Sequence, residues 1–196
     1  MTATLPEAVV AAKSMREVAE ELRVPEGHRV EIIGGTIVVS PTPTGMHGRM
    51  LWRLASMLLP YVPVGYELED HLGVTRTPES EDFAIPDLFV APTAVLETWR
   101  STVPPTEVLL VAEVVSRSSL TMDRTAKRAQ YAESGIPVYL VIDPFAAELA
   151  AFSDPSEGTY RAQHAVGWSE KLQLPEPLPA LVDGSQFPTL DTRPGS

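Results

Sequence analysis

The run VLLVAEVVS, Val108 to Ser116, is apolar at almost every position, and IPVYLVID, Ile136 to Asp143, repeats the pattern further on. Continuous runs of this kind are strands covered on both faces, since a strand with one face in water alternates apolar and polar residues. Between them SLTMDRTAKRAQYAESG has helical character, and Gly135 is placed to close the helix. Strand, helix, strand in that order predicts a βαβ crossover with parallel outer strands. The chain is thereby held to an α/β arrangement whose central strands need a layer on each side.

One residue of that buried strand does not belong there by polarity. Glu113 stands in its middle, and Asp87 stands at the mouth of another apolar run, IPDLFV. An ionised carboxylate in a core is costly unless a cation or hydrogen-bond donors meet it. A hard divalent cation takes oxygen ligands, usually one or two carboxylates with waters and substrate phosphate. It can assist phosphodiester hydrolysis at the water, the phosphate and the leaving oxygen. The separation of the two acids, 113 − 87 = 26 residues, leaves room for a connector and the return to a neighbouring strand. A hydrogen-bonded carboxylate at a strand end is the structural alternative for each.

The remaining segments supply layers. SMREVAEEL is a short amphipathic helix with Ser14 as N-cap. HRVEIIGGTIVVSP is a hairpin about Gly34-Gly35 that carries Glu31 on its first strand. MHGRMLWRLASMLLPYV has Met46, Met50, Leu51, Leu54, Met57 and Leu58 at helical spacing and is the main packing helix. YELEDHLGVTRT reads as one or two strands, IPDLFV as a strand, and APTAVLETWRSTVPPTE as an irregular or partly helical link. AELAAFSDP, GTYRAQHAV and KLQLP read as a closing antiparallel meander. Trp52, Trp99 and Trp168 are expected to pack rather than to stack on bases, because basic residues do not interleave all three.

The 196 residues suit one domain over 1–190 with a frayed tail at 191–196. With 44% hydrophobic and 21% charged residues the composition is that of a globular chain, and no apolar run approaches a membrane span. The first residues lack the pattern of a secretory signal, so the cytoplasm is the default location. There is no cysteine, which removes disulfides and thiolate metal sites. A net charge of −11 argues against holding nucleic acid by a general positive field, although Arg117, Arg124, Lys127 and Arg128 concentrate positive charge after Glu113. Gly34-Gly35 lacks the further glycine and the helix of a phosphate loop, and the four histidines are too dispersed for an H-E-x-x-H site.

The segments HRVEIIGGTIVVSPTPTGMHGRMLWRL, IPDLFV, LLVAEVVSRSS and MDRTAKRAQYAESGIPVYLVID, in that order, closely resemble the Uma-two endonuclease family, a branch of the PD-(D/E)xK restriction-endonuclease-like superfamily. The resemblance runs from about Met15 to Pro144. It implies a central mixed sheet flanked by helices, with an early hairpin and a C-terminal antiparallel extension. It also implies Mg²⁺ or Mn²⁺ held by acidic side chains, and hydrolysis of nucleic acid, DNA foremost. By this likeness Asp87 and Glu113 hold the metal and Glu31 assists. The superfamily's lysine stands two residues after the acid, where this chain has Val115, and the resemblance places it at Lys127 on the following helix. There Asp123, Lys127 and Tyr131 share a face. His47 and Gln130 match as accessory positions. The alternative readings are a solvated face for Lys127, a helix cap or pocket lining for His47, a helix cap or a Lys127 partner for Asp123, and a nuclease-fold module that binds without cutting. Cutting both strands of a duplex takes two scissile events, so a homodimer is compatible with the reading.

Overall fold

A computed structural model describes residues 13–116 and 122–188, without the side chains of 122–124. The expected frayed tail, 191–196, lies outside the described residues. Helix α1 (Met15–Glu21) opens on a reciprocal cap, in which the Ser14 hydroxyl accepts from the Glu17 amide and the Glu17 carboxylate accepts from the Ser14 amide. Strands β1 (Arg29–Ile33) and β2 (Thr36–Ser40) form the hairpin. Gly34 and Gly35 turn it at φ 57° and 71°, values that side-chain-bearing residues rarely adopt. Thr44 caps α2 (Gly45–Leu58), whose Met50, Leu54 and Leu58 are at most 1% exposed.

Next come β3 (Tyr66–Glu69), β4 (Gly73–Thr75), β5 (Phe83–Ala84), β6 (Leu88–Pro92), the single turn α3 (Thr93–Leu96), β7 (Thr102–Val103) and β8 (Leu110–Val114). A π-helical turn, Met122–Lys127, leads into α4 (Arg128–Glu133). The chain then forms β9 (Val138–Asp143), β10 (Glu148–Ser156), β11 (Thr159–Gly167), β12 (Lys171–Gln173) and β13 (Leu181–Asp183). No helix among the described residues is long and apolar enough to cross a membrane.

The central sheet is mixed, in the order β11-β10-β9-β8-β6-β3, with β8 and β9 parallel and the other pairs antiparallel. Both β8 and β9 are buried along their whole length, as their continuous apolar runs require. Leu110, Ala112 and Val114 face one core, built with α2 and the C-terminal segment around Leu172, Leu178, Val182 and Phe187. Val111 and Val115 face a second core with Val74, Phe89, Tyr131 and Tyr139. A second sheet, β2-β1-β5-β4-β7, carries the hairpin.

Three expectations change. IPDLFV is not one strand: Pro86 has no amide hydrogen with which to continue a ladder, so β5 stops at Ala84 and β6 starts at Leu88. KLQLP does not extend the β10–β11 hairpin but pairs through β12 with β13, a segment too short to show a strand period. Among the tryptophans only Trp168 packs, 6.1 Å from the Phe187 ring, whereas Trp52 is 74% exposed and Trp99 fully exposed.

Candidate active site

The register of the central sheet brings the two sequence-marked acids together. Leu88 lies opposite Ala112 and Phe89 opposite Val111, so paired residues sum to 200, and one step past the ladder Asp87 stands opposite Glu113. Asp87 sits just before β6, in the gap Pro86 opens, and its Oδ2 accepts from the Val114 amide at 2.9 Å. Glu31 comes from β1, where alternation turns Arg29 and Glu31 to the same face. Its Oε1 accepts from the Ile85 amide at 2.8 Å, which ties the hairpin to the strand gap.

Lys127 completes the meeting. Its Nζ lies 2.9 Å from Glu113 Oε1 and 3.0 Å from Glu31 Oε1. Lys127 is only 6% exposed, and Glu31, Asp87 and Glu113 are 2–5% exposed. The solvated-face alternative for Lys127 is therefore overturned. The wide π-helical turn that ends at Lys127 replaces the α-helical start expected there, a feature frequent at functional sites. One α-helical turn later the Tyr131 hydroxyl donates to the same Glu113 Oε1 at 2.8 Å. Burial foremost, then the Glu113 carboxylate, pushes the Tyr131 phenol well above its ordinary value, so it remains a donor. Val115, at the usual lysine position, is 2% exposed in the second core and offers no charge.

Asp87 is held from both sides. Arg29 Nη1 donates to Oδ1 at 3.0 Å, and His47 Nε2 lies 3.0 Å from Oδ2. The His47 contact is not aligned as a hydrogen bond, and Nε2 is buried with no other partner. His47 touches Asp87 by close approach, through Nε2. Burial alone raises the Asp87 carboxyl, but His47, then the Lys127 charge and the Val114 amide, outweigh it and hold the group below the usual carboxylate range.

A cavity of about 490 Å³ opens over these groups. Arg29, Glu31, His47, Asp87, Glu113 and Lys127 line it, with apolar walls that include Met46, Met50 and Phe145. A space of this size with a few convergent charges is that of a ligand pocket. Three carboxylates at its edge fit a divalent cation, and the His47 imidazole nitrogen beside Asp87 makes no hydrogen bond. The ammonium of Lys127, rather than direct approach of the carboxylates, joins Glu31 to Glu113.

Among the described residues, the three side chains whose ligand atoms come within 4.8 Å of one another are Glu69, Asp70 and His71, after β3. Glu69 Oε1 there accepts from the Asp70 and His71 amides at 2.9 and 2.8 Å, which is turn chemistry.

Of the accessory positions, His47 reaches the site and Gln130 does not line the cavity. Gln130 is 4% exposed, with both amide atoms unpartnered. Asp123 lies in the π-helical turn, and its side chain is outside the described residues. The sequence reading missed Arg29, although its spacing of two from Glu31 on a strand was a usable signal. It placed Tyr131 on the lysine stripe without a role.

A family model described as "Putative restriction endonuclease" (Uma2) matches residues 17–189. Among solved structures the chain is similar to "a putative nuclease belonging to DUF820 from Anabaena variabilis", with a TM-score of 0.66 at 16% identity, over 88% of this chain and 96% of that one. At that identity the likeness is one of fold, and the fold is restriction-endonuclease-like. No curated protein matches the chain.

Proposed function

The chain belongs to the Uma2 restriction-endonuclease family, whose model spans residues 17–189, and from that premise we propose that it is a divalent-metal-dependent endonuclease. Its reaction would be hydrolysis of phosphodiester bonds in nucleic acid, DNA before RNA, with Mg²⁺ or Mn²⁺. The observation that carries this reading is the meeting of Glu31, Asp87, Glu113 and Lys127, from four separate segments, in one cavity.

Asp87 and Glu113 would hold the cation, with Glu31 beside them. When bound, the cation supplies charge stabilisation at the phosphate and acidifies a water. Arg29 and the Val114 amide fix the Asp87 carboxylate, and Tyr131 fixes Glu113, so neither acid has to be ordered when substrate arrives. Lys127 brings the positive charge that the superfamily's usual pattern would put at Val115, and from the cavity wall it can orient the attacking water or meet charge growing on the phosphate. In the reaction the water oxygen forms a new bond to phosphorus while the bond to the leaving sugar oxygen breaks.

The test is incubation with single-stranded and duplex DNA and with RNA, with Mn²⁺ or with chelator. Cleavage by the wild-type protein should require the metal and should vanish in Glu113→Gln. Undiminished cleavage by that variant would refute the assignment.

A second reading, a module that binds without cutting, is favoured by the apolar Val115 and by the engagement of Lys127 with two carboxylates. Calorimetric binding of Mn²⁺ with no turnover on any of these substrates would select it.

A further inference from the structure

We propose that His47 is itself a ligand of the divalent cation, binding through Nε2 next to Asp87 Oδ2, and that this nitrogen biases the site toward a first-row transition cation such as Mn²⁺ and away from Mg²⁺. The inference rests on the metal reading above but not on cleavage. It starts from one atom. His47 Nε2 is buried from water and makes no hydrogen bond, although a carboxylate oxygen lies 3.0 Å away. A buried polar atom left unpaired is costly, so it needs a reason to persist.

Two groups that merely paired would be aligned, with the ring N–H aimed at the oxygen. Close approach without alignment is instead what two lone-pair donors show when both face a third point. Ligands about 2.1 Å from an octahedral cation and cis to each other are about 3.0 Å apart, being separated by √2 times that distance. The contact observed here is 3.0 Å.

The surroundings hold both donors for such a role. Asp87 Oδ2 accepts one bond, from the Val114 amide, and keeps a second lone pair, while Arg29 pins Oδ1. His47 is held by its place in the first turn of α2, its amide donating to the capping Thr44 hydroxyl at 3.3 Å. Its side chain is 12% exposed and lines the same cavity as Glu31 and Glu113. Mg²⁺ strongly prefers oxygen ligands, whereas imidazole suits the later divalent cations. A site with one nitrogen among its oxygens is therefore better suited to a first-row transition cation than to Mg²⁺, and Mn²⁺ is the member of that series whose spectrum can be read.

The experiment uses the full-length protein with Mn²⁺ alone, without nucleic acid. Electron spin-echo spectroscopy of the bound Mn²⁺ reads coupling to a ligand nitrogen directly. The wild-type protein should show nitrogen coupling, His47→Gln and His47→Asn should lose it, and His71→Gln should keep it. Calorimetry should find Mn²⁺ bound at least 10- to 100-fold more weakly by His47→Gln, the loss that removal of even an outer partner causes, with a smaller change for Mg²⁺. Mn²⁺ bound by the wild-type protein without nitrogen coupling, or with coupling that survives in the His47 variants, would overturn the proposal and leave the wider metal reading standing. Failure of the wild-type protein to bind Mn²⁺ would overturn both. Thermal unfolding of the variants identifies any that fail to fold; the assignment is then read from the His47 variant that folds, and wild-type Mn²⁺ without nitrogen coupling overturns the proposal by itself.

Discussion

Lys127→Met removes the charge that joins two buried acids while keeping a side chain of similar length. Lys127 Nζ sits 2.9 Å from Glu113 and 3.0 Å from Glu31, and all three residues are at most 6% exposed. At 3 Å and an effective dielectric constant of about 20, each contact is worth about 5 kcal/mol before desolvation is counted. Burying the ammonium offsets most of that sum, but removing it takes the counter-charge from two buried carboxylates, and breaking a buried pair in this way costs about 3–5 kcal/mol. For a domain of this size 1 kcal/mol moves Tm by about 2–4 °C, so the variant should melt about 6–20 °C below the wild type at neutral pH. Mn²⁺ should recover much of the difference, because a divalent cation can replace the lost charge beside Glu31 and Glu113. The assay is thermal unfolding by circular dichroism, with chelator and with saturating Mn²⁺. A melting point within about 2 °C of wild type in chelator would refute the account of Lys127 as the cation that balances this site.

Other perturbations separate the parts of the site. Tyr131→Phe removes the hydroxyl on Glu113 Oε1 and keeps the ring, so it should cost about 1.5–3 kcal/mol in urea unfolding, the range for a hydrogen bond to a charged group. Asp87 is held below the usual carboxylate range when folded. The stability it contributes is therefore present above the unfolded value of about 3.9 and lost as the pH falls below it. Accordingly, the gap in urea midpoint between wild type and Asp87→Asn should be full near pH 6 and should shrink as the pH falls below about 3.9. Leu54→Ala, a fully buried position on α2, should cost about 2–5 kcal/mol yet leave cleavage per folded molecule unchanged, measured well below its Tm.

The parts of the fold that were readable in advance are those decided by local chemistry. β8 and β9 announce themselves because strands buried on both faces must be apolar throughout, and the hairpin because Gly34 and Gly35 can adopt positive φ. Glu113 stood out because a charge inside such a strand needs a partner. What stayed hidden depends on contacts between distant segments. β7 has two residues and β13 three, too few to show a period, and each exists only through its neighbour, β4 or β12. The Pro86 break moved Asp87 out of its strand, yet the register of β6 on β8 still sets it opposite Glu113. The path of Lys127 to the acids became legible only through the family resemblance, since a lysine on a helix face otherwise reads as solvated. Arg29 shares its strand and face with Glu31, but nothing in the sequence tells which acid it would meet. Trp52 and Trp99, exposed rather than packed, show that size and apolarity alone do not assign a residue to the core.

The measurement that bears most directly on the central claim is Mn²⁺-dependent cleavage of labelled DNA by the wild-type protein and by Asp87→Asn, side by side and at equal folded concentration. The substitution keeps the shape of the side chain and removes the charge that Arg29, the Val114 amide and His47 surround. The account predicts cleavage by the wild type that stops with chelator, and a rate at least about 10³-fold lower in the variant, equivalent to about 4 kcal/mol of lost transition-state stabilisation. Cleavage by Asp87→Asn at the wild-type rate would contradict it.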